Sequence, residues 1–169
     1  LYYAFRLIEG GCDPLIILRR LVAHSSEDVG MADPNALVVA TSAMYAFEKM
    51  GAPEGLIPMS NAIIYVCEAQ KSNSVIIAMD AAKRAAREVR DDNIPPYLMD
   101  NTFGDKETKA QSANYKYPHN YGGWVEQQYL PDSLKDEVFY RPQGKGYEKV
   151  VEQVRREKGI KKGLPPEKK

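Results

Sequence analysis

Apolar side chains recur at helical spacing through residues 1–92. Leu1, Ala4, Phe5 and Ile8 stand three and four apart, a stripe that Gly10 and Gly11 stop, glycine being the residue that accepts the left-handed C-terminal position. Asp13 and Pro14 restart the pattern: the aspartate can accept from free N–H groups, and proline suits the first helical position. Leu15, Leu18 and Val22, with Ile17 and Leu21 alongside, give this second helix a wide apolar face, and Arg19 and Arg20 lie off its centre. Asp33 and Pro34 open the longest apolar helix, which runs to about Met50. Leu37, Ala40, Met44 and Phe47 form one face and Val38 and Tyr45 another, so the pattern predicts a buried central helix. A fourth helix begins at Pro58, with Met59, Ala62, Ile63, Val66 and Cys67 on one face. Ser72 or Asn73 caps a fifth, whose stripe is Val75, Met79, Ala82, Ala86 and Val89 and whose other face carries Lys83, Arg84, Arg87 and Arg90.

After Asp91 and Asp92 the character changes. Ile94, Pro95 and Pro96 forbid simple helix continuation. From there to about Gly146 periodicity is weak and turn formers abound, a length of irregular chain that compact domains rarely carry without a reason. Its centre is Tyr115–Leu130, which holds four of the eleven tyrosines, the single tryptophan Trp124, His119 and the pair Gly122 and Gly123. Helical composition returns from Tyr147 to about Lys158, with Val150, Val151 and Val154 apolar. The expected architecture is therefore an all-α domain over 1–157: a helical core 1–92, an irregular aromatic-rich wrap 93–146, and a final helix 147–157. A basic tail over 158–169, with Pro165 and Pro166 among lysines, is expected to be disordered. The chain opens at Leu1 already inside an apolar pattern, and is expected to be cut from something longer.

Composition narrows the function classes. With 23 basic and 23 acidic residues the net charge is zero, which argues against a whole-domain electrostatic grip on nucleic acid or anionic membrane and leaves only local patches. Two cysteines, Cys12 and Cys67, make no disulfide framework, and with His24 and His119 they show no metal-ligand spacing. There is no apolar run of membrane-spanning length, so a cytoplasmic setting is expected. Gly144, Lys145 and Gly146 do not make a phosphate loop, and no dinucleotide fingerprint is present.

Three groups are candidates for chemistry or binding. His24, Glu27 and Asp28 offer an acid–base cluster, since His24 and Asp28 stand four apart; the plainer reading is a helix terminus whose histidine complements the dipole. A hydrolase built on them requires a concave pocket there. Lys83, Arg84, Arg87 and Arg90 could lie along phosphates, although charged stripes usually face water. The Tyr and Trp rings of the 115–130 stretch, Tyr117, Tyr121 and Trp124 among them, with Lys116 and His119 interleaved, could stack unpaired bases. Against that, Tyr115, Tyr117, Trp124 and Tyr129 would each bury ~150–250 Å² if docked, with Tyr117 and Tyr121 nearest solvent. Met44, Met59, Met79 and Cys67 read as core filler.

Taken in order, Glu9-Gly10-Gly11 with Asp13-Pro14, Ser26-Glu27-Asp28-Val29-Gly30 with Ala32-Asp33-Pro34, Pro53-Glu54-Gly55 with Pro58, Lys71-Ser72-Asn73, Tyr115-Lys116-Tyr117-Pro118-His119 and Gln127-Gln128-Tyr129-Leu130-Pro131 form a recognisable set. Together they resemble the C-terminal region of the RarA/MgsA family of AAA+ ATPases, whose eukaryotic relatives are the Werner-helicase-interacting proteins. Glu27, Asp28, Gly30, Asp33, Pro34, Trp124 and Tyr129 carry the signature. The resemblance implies a clamp-loader-collar-like helical module that follows the ATPase core and builds a homotetramer. It also implies a nucleoid-associated parent that hydrolyses ATP with Mg²⁺ and acts with DNA and single-strand-binding protein at stalled forks. It implies no catalytic, cofactor or metal residue within this chain. The alternative reading is a DNA-binding module that uses the basic helix face and the aromatic loop.

Overall fold

The computed structural model describes residues 1–99 and 114–166. The part of the expected wrap at 100–113 and the last three residues of the tail lie outside the described residues. Six α-helices are present among the described residues, and no strand: α1 Tyr2–Glu9, α2 Pro14–His24, α3 Asn35–Met50, α4 Leu56–Glu68, α5 Ser74–Glu88 and α6 Glu148–Glu157. The chain divides into two compact units, one of Leu1–Asp80 with Phe139–Lys169 and one of Ala81–Val138.

In the first unit the helix starts follow their sequence signals. Asp13 Oδ1 accepts from the Leu15 N–H at 2.9 Å with Pro14 at the first position of α2. Asp33 Oδ1 accepts from the Asn35 N–H at 3.0 Å ahead of α3. The core joins Leu18 of α2, Ala43 and Phe47 of α3, and Met59, Ala62 and Ile63 of α4, with Phe5 and Ile8 of α1 packed against it. A second cluster of Val29, Ala36 and Val66 continues it. At the α3–α4 turn, a Cβ on Gly55 would stand 2.5 Å from the Gly51 carbonyl oxygen and 2.8 Å from the Phe47 ring, so only glycine fits that approach.

Four expectations are corrected here. α3 is not buried all round: it buries Ala36, Ala40, Ala43 and Phe47, and leaves Leu37, Val38 and Tyr45 exposed. Close packing of neighbouring helices selects the alanine row, because small residues let backbones approach. Cys67 is exposed, standing 100° round the helix from buried Val66. On α5, Met79 and Ala86 are exposed, and Ser74 is the buried residue. On α6 the inward residue is Glu148, while Val150 and Val154 face out. The arriving residues 158–166 fold back, the Ile160 N–H donating to the Arg155 carbonyl at 2.8 Å and the Arg156 guanidinium to that of Pro165 at 3.0 Å.

The second unit is held by local polar ties. The Tyr97 hydroxyl donates to the Gln128 carbonyl at 2.5 Å, and the Ser133 hydroxyl donates to Asp91 Oδ2 at 2.6 Å. The Ser133 hydrogen bond, with those from Asn93, holds the Asp91 carboxyl below its ordinary range. Within Tyr115–Leu130 a short 3₁₀ turn, Pro118–Tyr121, is present. Tyr115 and Tyr129 are exposed, against the expectation that they dock, and Trp124 is half-buried. Side-chain amides rather than ring burial close this stretch on itself.

Candidate functional site

Two signature motifs of the first unit, Ser26–Gly30 with Ala32 and Lys71–Asn73, meet at one place. Ser25 Oγ donates to the Val22 carbonyl at 2.7 Å, and the chain leaves α2 as a π-helical turn, Ser25–Val29. Gly30 then takes φ +50°, and a Cβ there would stand 3.0 Å from the Ser72 carbonyl oxygen and 3.2 Å from Val75. The Ser72 N–H donates to the Asp28 carbonyl at 2.8 Å, fastening this turn to the loop between α4 and α5. Lys71 caps α4: its ammonium donates to the carbonyls of Val66 at 2.8 Å and Cys67 at 3.1 Å, and to that of Ala69.

Glu148 closes the assembly. Its carboxylate is fully buried; Oε1 accepts from the hydroxyls of Ser72 at 3.0 Å, Ser74 at 2.5 Å and Tyr140 at 3.3 Å, and Oε2 accepts from the Gln143 N–H at 2.9 Å. Burial pushes the Glu148 carboxyl up, but the hydrogen bonds from Ser74, Gln143 and Ser72 outweigh it and leave it below its ordinary value. Burial, the neighbouring Glu148 charge and their hydrogen bond push the Tyr140 phenol up to about 12. Gln143 Nε2 donates to Asn73 Oδ1 at 2.7 Å. The Tyr147 N–H donates to the Ala32 carbonyl at 2.7 Å, and a Cβ on Gly146 would sit 2.1 Å from that carbonyl oxygen. With four donors on its two oxygens, the Glu148 carboxylate acts as a structural clamp.

His24 Nδ1 and Asp28 Oδ2 do meet, at 2.6 Å, but their side chains are 47% and 53% exposed at an open helix end. No enclosed acid–base site forms there, so the hydrolase expectation is not supported by the geometry. Glu27 is exposed on the same turn. Asp33 Oδ2 accepts from the Tyr65 hydroxyl at 2.8 Å, an interaction that raises the Tyr65 phenol, and Pro34 precedes α3. Among the described residues, no group of three or more His, Cys, Asp or Glu is arranged to hold a metal ion.

Two surfaces remain. In the first unit, Val38 and Tyr45 on α3 and Ile57 and Ile64 on α4 are exposed, Tyr45 by 62% and Ile57 by 72%. Each stands two residues from a buried position of its own helix: Ala36, Phe47, Met59 and Val66 in turn. At 100° per residue, that offset places them opposite the buried rows. In the second unit, Lys83, Arg84 and Arg87 of α5, and Arg90 just beyond it, are all exposed and stand in no ion pair among the described residues. Lys116, Tyr117, His119 and Tyr121 are exposed too, and the Tyr117 and His119 rings meet with centroids 4.9 Å apart. Sequence reasoning missed Ser74, Tyr140, Gln143 and Glu148; the one available signal was a glutamate in the first turn of a helix otherwise read by its valines.

The family model for the C terminus of the MgsA AAA+ ATPase matches residues 1–158. The chain is 42% identical over 156 residues to the replication-associated recombination protein A of Bacillus subtilis, covering 91% of this chain and 37% of that protein. It is 35% identical over 150 residues to the protein of the same name from Escherichia coli, covering 88% of this chain and 34% of that one. To the ATPase WRNIP1 of Dictyostelium discoideum it is 32% identical over 141 residues, covering 82% of this chain and 16% of that protein. The chain thus spans little more than a third, or less, of these curated relatives.

Proposed function

The chain belongs to the family of MgsA AAA+ ATPase C-terminal regions, and we propose that it is the assembly module of its parent, joining copies of itself through the outer faces of α3 and α4. The observation that carries this reading is the placement of Val38, Tyr45, Ile57 and Ile64 opposite the buried rows of their helices. Large apolar side chains left uncovered on the outer face of each of two packed helices are what a partner surface would cover. Covering a side chain of this kind is worth roughly 1.5–3 kcal/mol. Repeated by symmetry, these four side chains would form the apolar centre of each contact in a closed homotetramer.

The parent is proposed to be a DNA-dependent ATPase acting in replication and recombination at stalled forks, cytoplasmic and nucleoid-associated, with DNA and single-strand-binding protein as partners. The printed names of the relatives support the replication and recombination setting. ATP and Mg²⁺ are proposed as cofactors of the parent; the sequence of this chain contains no Gly-Lys-Ser/Thr phosphate loop. No step is built on either.

A double variant tests the interface. Tyr45→Glu with Ile64→Glu places two charges on the proposed surface without touching the buried rows. Light scattering should then show a single-copy mass with unchanged helix content. A variant that assembles like the unmodified chain overturns this interface.

A second reading, contact with DNA by this chain itself, is favoured by one observation. Lys83, Arg84, Arg87 and Arg90 are exposed cations with no ion pair among the described residues, so neutralising phosphates would cost no existing pair.

A further inference from the structure

We propose that the loop from Lys116 to Gln127 is a base-stacking site for single-stranded nucleic acid, built on Tyr117, His119 and Tyr121. The inference deepens the second reading above and rests on it. The loop is tied shut at its base by one amide. Gln127 Oε1 accepts from the Lys116 N–H at 3.2 Å, and Gln127 Nε2 donates to the Lys116 carbonyl at 3.0 Å and to the Tyr129 hydroxyl at 2.9 Å. That single side chain uses one donor and one acceptor site to hold the two arms of the loop together, and its second donor to anchor on Tyr129 of its own arm. Between the arms the chain makes the 3₁₀ turn Pro118–Tyr121, then passes through Gly122 at φ +72° and Gly123 at φ +90°. A Cβ at either glycine would meet nothing within 4 Å, so the tip stands in open space.

On this fixed tip the rings face out. Tyr117 is 52% exposed and Tyr121 55%, and the His119 ring leans on Tyr117 at 42°. Uncovered rings on a loop already tied at its base present apolar faces to a partner, and the tie lowers the backbone ordering that binding would cost. The partner must offer flat π-faces next to negative charge. Lys116 supplies the cation: among the described residues its ammonium gives one long hydrogen bond, to the Glu126 carbonyl at 3.4 Å, which leaves N–H donors for phosphate. In duplex DNA the faces of the bases are covered by their neighbours, so an unpaired strand is the ligand that fits.

The test compares two probes of equal length on the full chain, a single-stranded oligothymidine and its abasic counterpart, by anisotropy titration at two salt concentrations. The unmodified chain should bind the thymidine strand about tenfold or more tighter than the abasic one, as expected for stacked bases. Tyr117→Ala with Tyr121→Ala should erase that ratio, and Tyr117→Phe should keep it. Both rings are exposed, so folding is not at stake. Lys83→Glu with Arg87→Glu should weaken both probes, flatten the salt dependence and leave the ratio intact. Equal binding of the two probes, or a ratio that survives loss of both rings, overturns the stacking site while the phosphate reading stands. No binding of either probe overturns both.

Discussion

Ser74 donates a 2.5 Å hydrogen bond to Glu148, a residue 74 positions further along the chain. The contact ties the first turn of α5 to the first turn of α6 inside a buried pocket that also takes Ser72, Tyr140 and the Gln143 amide. Glu148→Ala removes the shared acceptor. The hydroxyls can turn to other acceptors or to water entering the space, so the cost is that of about one to two unmet buried donors at ~1–3 kcal/mol each. Urea unfolding should show a loss of about 2–4 kcal/mol. Glu148→Gln, which keeps one acceptor oxygen, should lose clearly less.

The clamp also has a pH signature at both ends of the scale. The Glu148 carboxyl lies below its unfolded value of 4.5, so its contribution is present above that value and is lost as pH falls through the folded one. The Tyr140 phenol is raised from 10.0 to about 12, so its contribution is whole below pH 10 and disappears between 10 and 12. Urea midpoints measured across pH should therefore fall less steeply on the acid side for Glu148→Gln, and less steeply on the alkaline side for Tyr140→Phe.

Two glycines with similar backbone geometry should respond differently. Gly146 has φ +50° and a Cβ there would overlap the Ala32 carbonyl oxygen, whereas Gly122 has φ +72° with nothing within 4 Å. Gly122→Ala bears only the left-handed backbone cost, about 1 kcal/mol. Gly146→Ala must also push apart the Ala32–Tyr147 contact, and thermal unfolding should report about 2–4 kcal/mol.

Trp124 and Phe47 make a further contrast. Phe47 belongs to the core of the first unit, and Phe47→Ala should cost ~3–5 kcal/mol. Trp124 is half-buried, and Trp124→Ala should cost roughly half as much. Equal losses in chemical unfolding would contradict the burial described for the aromatic stretch.

These residues also show what the chain's pattern reveals and where it stops. Met59, Ala62, Ile63 and Val66 were legible as a buried row because a helix with one covered face imposes its own period. Asp13 and Pro14 were legible because the needs of a helix N-terminus are local. On α3 side-chain size misleads: Leu37, Val38 and Tyr45 carry far more apolar surface than alanine, yet Ala36, Ala40 and Ala43 are inside because bulk keeps neighbouring helices apart. The outward bulky residues then became the candidate interface. The Glu148 clamp was not legible, since its partners lie from five to 76 residues away and no period links them. In the aromatic stretch the density of rings was plain, but their exposure depended on Gln127, a residue whose sequence context gave no hint of closing a loop.

The assembly claim is tested most directly by sedimentation velocity of the unmodified chain over a concentration series reaching tens of micromolar. The account predicts a species of four copies that persists on dilution through the series. A single-copy species at every concentration would contradict it, and would return Val38, Tyr45, Ile57 and Ile64 to the status of an uncovered surface.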